Sequence, residues 1–96
     1  MEIVFKTKKL QKICSSYSIM KKEYGELMAK KLTQRLQELG AAPSVEFMLD
    51  ARIGRCHALN HDRLGQYAVD LIHPFRLIFT ESPPDSALII EIVDYH

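Results

Sequence analysis

Long apolar runs, a secretory signal and glycine-rich loops are all missing from this chain. Its longest apolar run, Ala87 to Ile90, falls far short of the roughly 18 residues that a membrane span needs. Its opening residues, Met1-Glu2-Ile3-Val4-Phe5-Lys6, lack the basic region and apolar stretch that direct secretion, so a cytoplasmic location is the default expectation. Cysteine is scarce as well. Cys14 and Cys56 are too few for a disulfide scaffold and are expected to be free thiols. No phosphate-binding glycine loop, nucleophile elbow or Ser/His/Asp order occurs, which argues against nucleotide-dependent and serine-type catalysis. His57 and His61 stand four apart with no third ligand at metal-site spacing, and no metal or other cofactor is expected.

What is present fits an ordinary folded protein. At 96 residues, with 47% hydrophobic and 26% charged side chains, disorder is excluded and a single domain over residues 1–96 is expected. Charge is unevenly distributed. Residues 1–39 carry eight Lys and one Arg against four Glu, whereas residues 40–96 carry four Arg against eight acids, which together leave the net charge at +1. Polarity of this kind points to an anionic partner, although a lysine-rich helix face also serves as plain solvated surface.

Hydrophobic period divides the chain in the same way. Ile3 and Phe5 alternate as a short strand, followed by a basic helix with Leu10, Ile13 and Cys14 on one side. From Glu23 onward, Tyr24, Leu27, Met28, Lys31, Leu32, Arg35, Leu36 and Leu39 share a helical stripe that Gly40 and Pro43 terminate. Gly25, inside that stripe, suggests close packing against a neighbouring helix. Ser44 to Leu49 adds a helical turn with Val45, Met48 and Leu49 inward. After Gly54 the period becomes two, and 55–59, 66–72, 75–80 and 87–95 read as consecutive antiparallel strands separated by turn residues. The expected class is α+β, an N-terminal helical hairpin packed on one face of a curved, mainly antiparallel sheet whose other face is open.

Three groups of residues exceed what packing requires. Asp94, Tyr95 and His96 close a strand of Leu and Ile with an acid, a phenol and an imidazole; simple alternation places Asp94 and His96 with Leu88, Ile90 and Ile92, and Tyr95 opposite. A solvated polar tail would have the same composition. Arg76, between Phe75 and Leu77, points away from the apolar side and needs a carboxylate or a ligand anion, with Asp70 the nearby carboxylate. His57 is either a structural strand histidine or a catalytic one.

The segments His57-Ala58-Leu59-Asn60-His61-Asp62-Arg63-Leu64-Gly65-Gln66-Tyr67-Ala68-Val69-Asp70-Leu71, His73-Pro74-Phe75-Arg76-Leu77-Ile78-Phe79 and Asp94-Tyr95-His96 together resemble the HigB-like killer-protein branch of the RelE/ParE toxin superfamily. The resemblance spans nearly the whole chain and is specific in its C-terminal part. It implies the RelE-like fold, a type II toxin–antitoxin toxin, and metal-free endonucleolytic cleavage of mRNA within a translating ribosome. It implies also a cognate helix-turn-helix antitoxin of the HigA type, alongside ribosome and mRNA, as partners. By resemblance His57, Asp94, Tyr95 and His96 are catalytic, Arg76 holds the scissile phosphate, and Arg63 and Arg55 bind RNA or phosphate. RNA supplies its own 2′-hydroxyl nucleophile, so the expected roles are a base (Asp94 or His57), cations at the phosphorane (Arg76, with Arg63), an acid (His96) and a base-stacking ring (Tyr95).

Departures from that pattern are specific. His61 stands where such toxins often have glycine, Asn60 where lysine is common, and Ile72 where some members place a basic residue; the sequence pI of about 7.8 is modest for a nucleic-acid binder. Two alternatives share the fold, a ParE-type gyrase inhibitor and a weakened toxin that acts mainly as an antitoxin-binding co-repressor.

Overall fold

A computed structural model describes residues 1–94, and its elements begin and end at side chains suited to the task. Strand β1 covers Glu2–Phe5, and helix α1, Lys8–Cys14, starts at Thr7, whose hydroxyl accepts from the Leu10 amide at 3.1 Å. Ser16 caps α2, Tyr17–Tyr24, by accepting from Ile19, and Ser44 caps α4, Val45–Asp50, by accepting from Phe47. Caps of this kind each contribute about 1 kcal/mol by satisfying an amide that the helix leaves unpaired.

The long helical stripe is interrupted. Gly25, at φ +89° and ψ 168°, ends α2 and precedes α3, Glu26–Ala41, so Glu23 and Tyr24 belong to the earlier helix. A Cβ at Gly25 would meet nothing within 4 Å, which corrects the expectation of close helix packing there: glycine is required by the backbone conformation. Leu27 is also displaced from its expected role, being 71% exposed. It heads the row of Lys31, Gln34 and Glu38, whose side chains hydrogen-bond along the helix, while Met28, Ala29, Leu32 and Leu39 form the buried face. Val45 and Met48 of α4 are buried as expected.

The sheet has the order β1-β5-β4-β3-β2, where β2 is His57–Ala58, β3 Gln66–Asp70, β4 Phe75–Ser82 and β5 Ser86–Asp94. The last four strands form the expected antiparallel meander, though β2 is reduced to two residues, and β1 adds parallel to β5. The Met1 ammonium donates to the carbonyls of Leu39, Gly40 and Ala42, joining this edge strand to the C-terminal end of α3. Ile3, Phe5, Tyr67, Val69, Leu71, Phe75, Leu77, Phe79, Ala87 and Ile89 face the helices in one apolar cluster, and the Tyr24 ring meets Phe75 edge-on at 6.1 Å.

A bulge alters the parity of β5. Ile78 stands opposite Glu91 but Phe79 opposite Ile89, so Ile90 is extra and Ile92 joins Ala87 and Ile89 on the helix side. Simple alternation therefore fails across Ile90. Asp94, opposite Phe75, follows Ile92 onto the helix side at the strand end, whereas Val93 stands opposite Arg76.

On the second face, away from the helix-side cluster, Ala68 and Ile78 are fully buried. Their cover includes Arg63, from the one-turn helix His61–Arg63. Its guanidinium donates to Gln66 of β3 and to Glu91 of β5, and since β4 lies between those strands the side chain must cross β4 beside Ile78. Among the described residues, no helix is long and apolar enough to cross a membrane.

Candidate functional site

Between α4 and β2 the chain makes an unusual turn. Arg52, Gly54 and Arg55 have φ of 53°, 60° and 55°, so three residues in a run of four are left-handed. For each non-glycine residue that geometry costs about 1–2 kcal/mol, and such strain persists only where the surroundings enforce it. Here the Arg55 amide donates to the Arg52 carbonyl and the Cys56 amide to Ile53. The result sends two arginine side chains to the mouth of one cavity.

That cavity, of about 470 Å³, is lined by Leu49, Arg52, Arg55, Cys56, His57 and Arg76. Cations therefore reach it from two directions, the left-handed turn and strand β4. Asp70, directly opposite Arg76 in the sheet, orders them: its Oδ2 accepts from Arg55 Nε at 2.7 Å, and its Oδ1 lies 3.5 Å from Arg76 Nε. The guanidinium groups of Arg52, Arg55 and Arg76 at one cavity suit an anionic ligand such as a phosphate ester.

His57 enters the same cavity from β2. Its Nδ1 lies 2.9 Å from the Arg55 carbonyl oxygen. A carbonyl only accepts, so Nδ1 carries the proton, and in the neutral ring Nε2 holds the lone pair that can take a proton from a ligand. Cys56 lacks comparable reactivity. Burial pushes its thiol, and that of Cys14, up to about 11, so both stay protonated near neutrality. Both cysteines are free and buried.

The structure thus brings together His57, Arg55 and Arg76 of the residues singled out from sequence. Arg63 does not line this cavity; it is held by Gln66 and Glu91. Asp94 is remote from His57, because β3 and β4 lie between their strands, which at ~4.8 Å per strand separates them by roughly 14 Å. Tyr95 and His96 lie outside the described residues. Arg52 was missed by sequence reasoning. The run Arg52-Ile53-Gly54-Arg55 was its available signal, two cations flanking a glycine just ahead of a strand. His61 also adopts a left-handed conformation, at φ +58°. Among the described residues, no three His, Cys, Asp or Glu side chains converge to hold a metal ion.

No family model and no curated protein matches the sequence. Solved structures do match the fold. A YoeB/ParE toxin from Agrobacterium tumefaciens superimposes with a TM-score of 0.69 at 13% identity, covering 100% of both chains. The YoeB-YefM complex and the YoeB dimer from Staphylococcus aureus give TM-scores of 0.66 and 0.65, each at 21% identity over 100% of this chain and 97% of the other. The chain has the fold of the YoeB toxins. Within that YoeB-type fold the arginine-lined cavity lies toward the β2 edge of the sheet, opposite the edge formed by β1.

Proposed function

We propose that this protein is the toxin of a type II toxin–antitoxin pair, a HigB-like, ribosome-dependent endonuclease that cuts mRNA without a metal ion and acts in the cytoplasm. The observation that carries this is the joint placement of Arg52, Arg55, Arg76 and the lone-pair nitrogen of His57 around one open cavity. RNA brings its own nucleophile, so cleavage needs only a proton acceptor at the 2′-hydroxyl, cations at the phosphorus and a proton donor at the 5′-oxygen. His57 Nε2 takes the 2′-hydroxyl proton as the 2′-oxygen attacks phosphorus. Arg76, with Arg52 and Arg55, stabilises the phosphorane. The bond to the 5′-oxygen then breaks, that oxygen receives a proton, and a 2′,3′-cyclic phosphate and a 5′-hydroxyl are left.

His96 is assigned as that proton donor and Tyr95 as the ring that stacks on a splayed base, both by resemblance. Asp94 is assigned to the same terminal group by resemblance, and because His57 lines the arginine-bearing cavity, His57 is favoured over Asp94 as the base. Arg63 is placed on the flanking RNA backbone. The S. aureus YoeB structure in complex with YefM supports an antitoxin partner. The sequence blocks from His57 to Phe79 favour a helix-turn-helix antitoxin of the HigA type.

The test incubates purified protein with translating ribosomes and a defined mRNA and maps new 5′ ends by primer extension. Cuts that require ribosomes, and that vanish in His57→Ala and in a form lacking His96, are expected. Intact mRNA from folded wild-type protein would overturn the assignment, and double-strand DNA breaks in arrested cells would redirect it to gyrase inhibition.

A further inference from the structure

We infer that Arg35, a residue of α3 that does not line the cavity, is the positioning residue that sets the phosphate-binding arginines; this rests on the assignment of the cavity to phosphate. Two contacts carry the inference. Arg35 Nε donates to the Asp70 backbone carbonyl at 2.7 Å, and its Nη1 is held by Glu38 at 2.8 Å. The same side chain lies directly beneath Gly54: a Cβ built there would stand 2.7 Å from Arg35 Nε, 2.9 Å from Cδ and 3.0 Å from Cζ.

Each contact leads to the cavity by a separate route. Gly54 sits between Arg52 and Arg55 in the left-handed turn, so the Arg35 guanidinium is the surface against which that turn rests. Asp70 is the residue whose carboxylate holds Arg55 and faces Arg76. One guanidinium therefore fixes both the backbone that supplies two cations and the carboxylate that aligns a third. The base for this is rigid: Leu32 and Leu39 anchor α3 with no exposed surface, and the Arg35 side chain is only 12% exposed. Glycine at 54 suits both the positive φ, which disfavours a side chain, and the packing, since a methyl group there would push the Arg35 side chain aside.

Displacing catalytic groups by about 1 Å can cost on the order of 100-fold in rate while leaving the fold intact. Binding of inorganic phosphate is followed on the guanidinium Nε–H resonances of Arg52, Arg55 and Arg76, and turnover by single-turnover mRNA cleavage on ribosomes. In Arg35→Met, which keeps the stem but loses both polar contacts, phosphate affinity is expected to fall about tenfold and the cleavage rate on the order of 100-fold. The half-saturating ribosome concentration is expected to stay unchanged. Arg35→Lys, which can still reach the Asp70 carbonyl but cannot support Gly54, is expected to recover part of the phosphate affinity.

A double-mutant cycle isolates the Gly54 contact. Gly54→Ala clashes with Arg35, so its effect on phosphate affinity is expected to shrink in an Arg35→Ala background, whereas unrelated structural losses would add. Wild-type affinity and rate in folded Arg35→Met, or additive effects in the cycle, would overturn the role of Arg35 and leave the phosphate assignment standing. Failure of wild-type protein to bind phosphate at these resonances would instead overturn the assignment on which the role rests.

Discussion

Asp70 and Arg55 are joined at 2.7 Å, Oδ2 to Nε, and Arg55 lines the cavity that Arg76 also reaches. The Asp70 carboxylate thereby has two opposed effects. It orients Arg55 and Arg76, and it also offsets one of the charges that would attract a phosphate. A half-exposed pair like this adds only about 0–1 kcal/mol to folding, so its consequence lies in the site.

Asp70→Asn separates those effects. Removing the negative charge is expected to tighten inorganic phosphate binding several-fold, while freeing the two arginines slows cleavage by about tenfold. Phosphate titration beside single-turnover cleavage reads both quantities, and urea unfolding is expected to show stability within about 1 kcal/mol of wild type. A parallel loss of binding and rate would show that orientation dominates binding as well.

Arg63 leads to a different expectation, since its side chain joins Gln66 to Glu91 and covers Ile78. Arg63→Ala exposes apolar surface and leaves Glu91 without this partner, at an expected cost of about 1–2 kcal/mol. Phosphate affinity at the Arg52, Arg55 and Arg76 resonances is expected to be unchanged. Arg63→Met, which keeps an apolar cover, is expected to restore most of the stability in chemical denaturation.

Most of the architecture was legible because its signals are local. Alternation from Tyr67 to Phe79 predicted the meander, and the spacing of Val45, Met48 and Leu49 predicted α4 together with its buried Val45 and Met48. Three features were not legible, two because a contact distant in sequence decides them and one because the local pattern hides a break. The bulge at Ile90 depends on how β5 pairs with β4, and it redirects Ile92 and Asp94. Gly25 looked helical because its neighbours keep the helical period on both sides of the break. In the site, His57, Arg55 and Arg76 could be named individually, but their meeting with Arg52 depends on a left-handed turn resting on Arg35, more than fifteen residues earlier.

The two cysteines make stability depend on alkaline pH. Their thiols ionise near 9.0 when unfolded and near 11 when folded, because burial disfavours the thiolate. Below pH 9 both states hold these protons and pH has no effect through them. Between pH 9 and 11 the unfolded chain holds fewer protons than the folded one, so stability falls, by about 1.4 kcal/mol per pH unit for each thiol. Tyr24, whose hydroxyl is also raised, first by burial and then by Glu23, adds to the decline. Urea unfolding across this range is expected to show a steeper loss for wild type than for a variant with alanine at both Cys14 and Cys56. Equal slopes would place the thiols in contact with water in the folded state.

Gly25 allows a backbone effect to be measured almost alone. At φ +89° and ψ 168° it occupies a region essentially closed to other residues, yet a Cβ there has open space around it. Gly25→Ala should therefore lose stability through conformation and not through collision, by about 1–3 kcal/mol. Asparagine tolerates the left-handed helical region but not this one, so Gly25→Asn is expected to be no better than alanine. Gly25→D-Ala, made by chemical ligation, fits a positive φ and is expected to match or exceed wild type. If L-alanine proved harmless in urea unfolding, α2 and α3 would have to join in solution through a different backbone geometry.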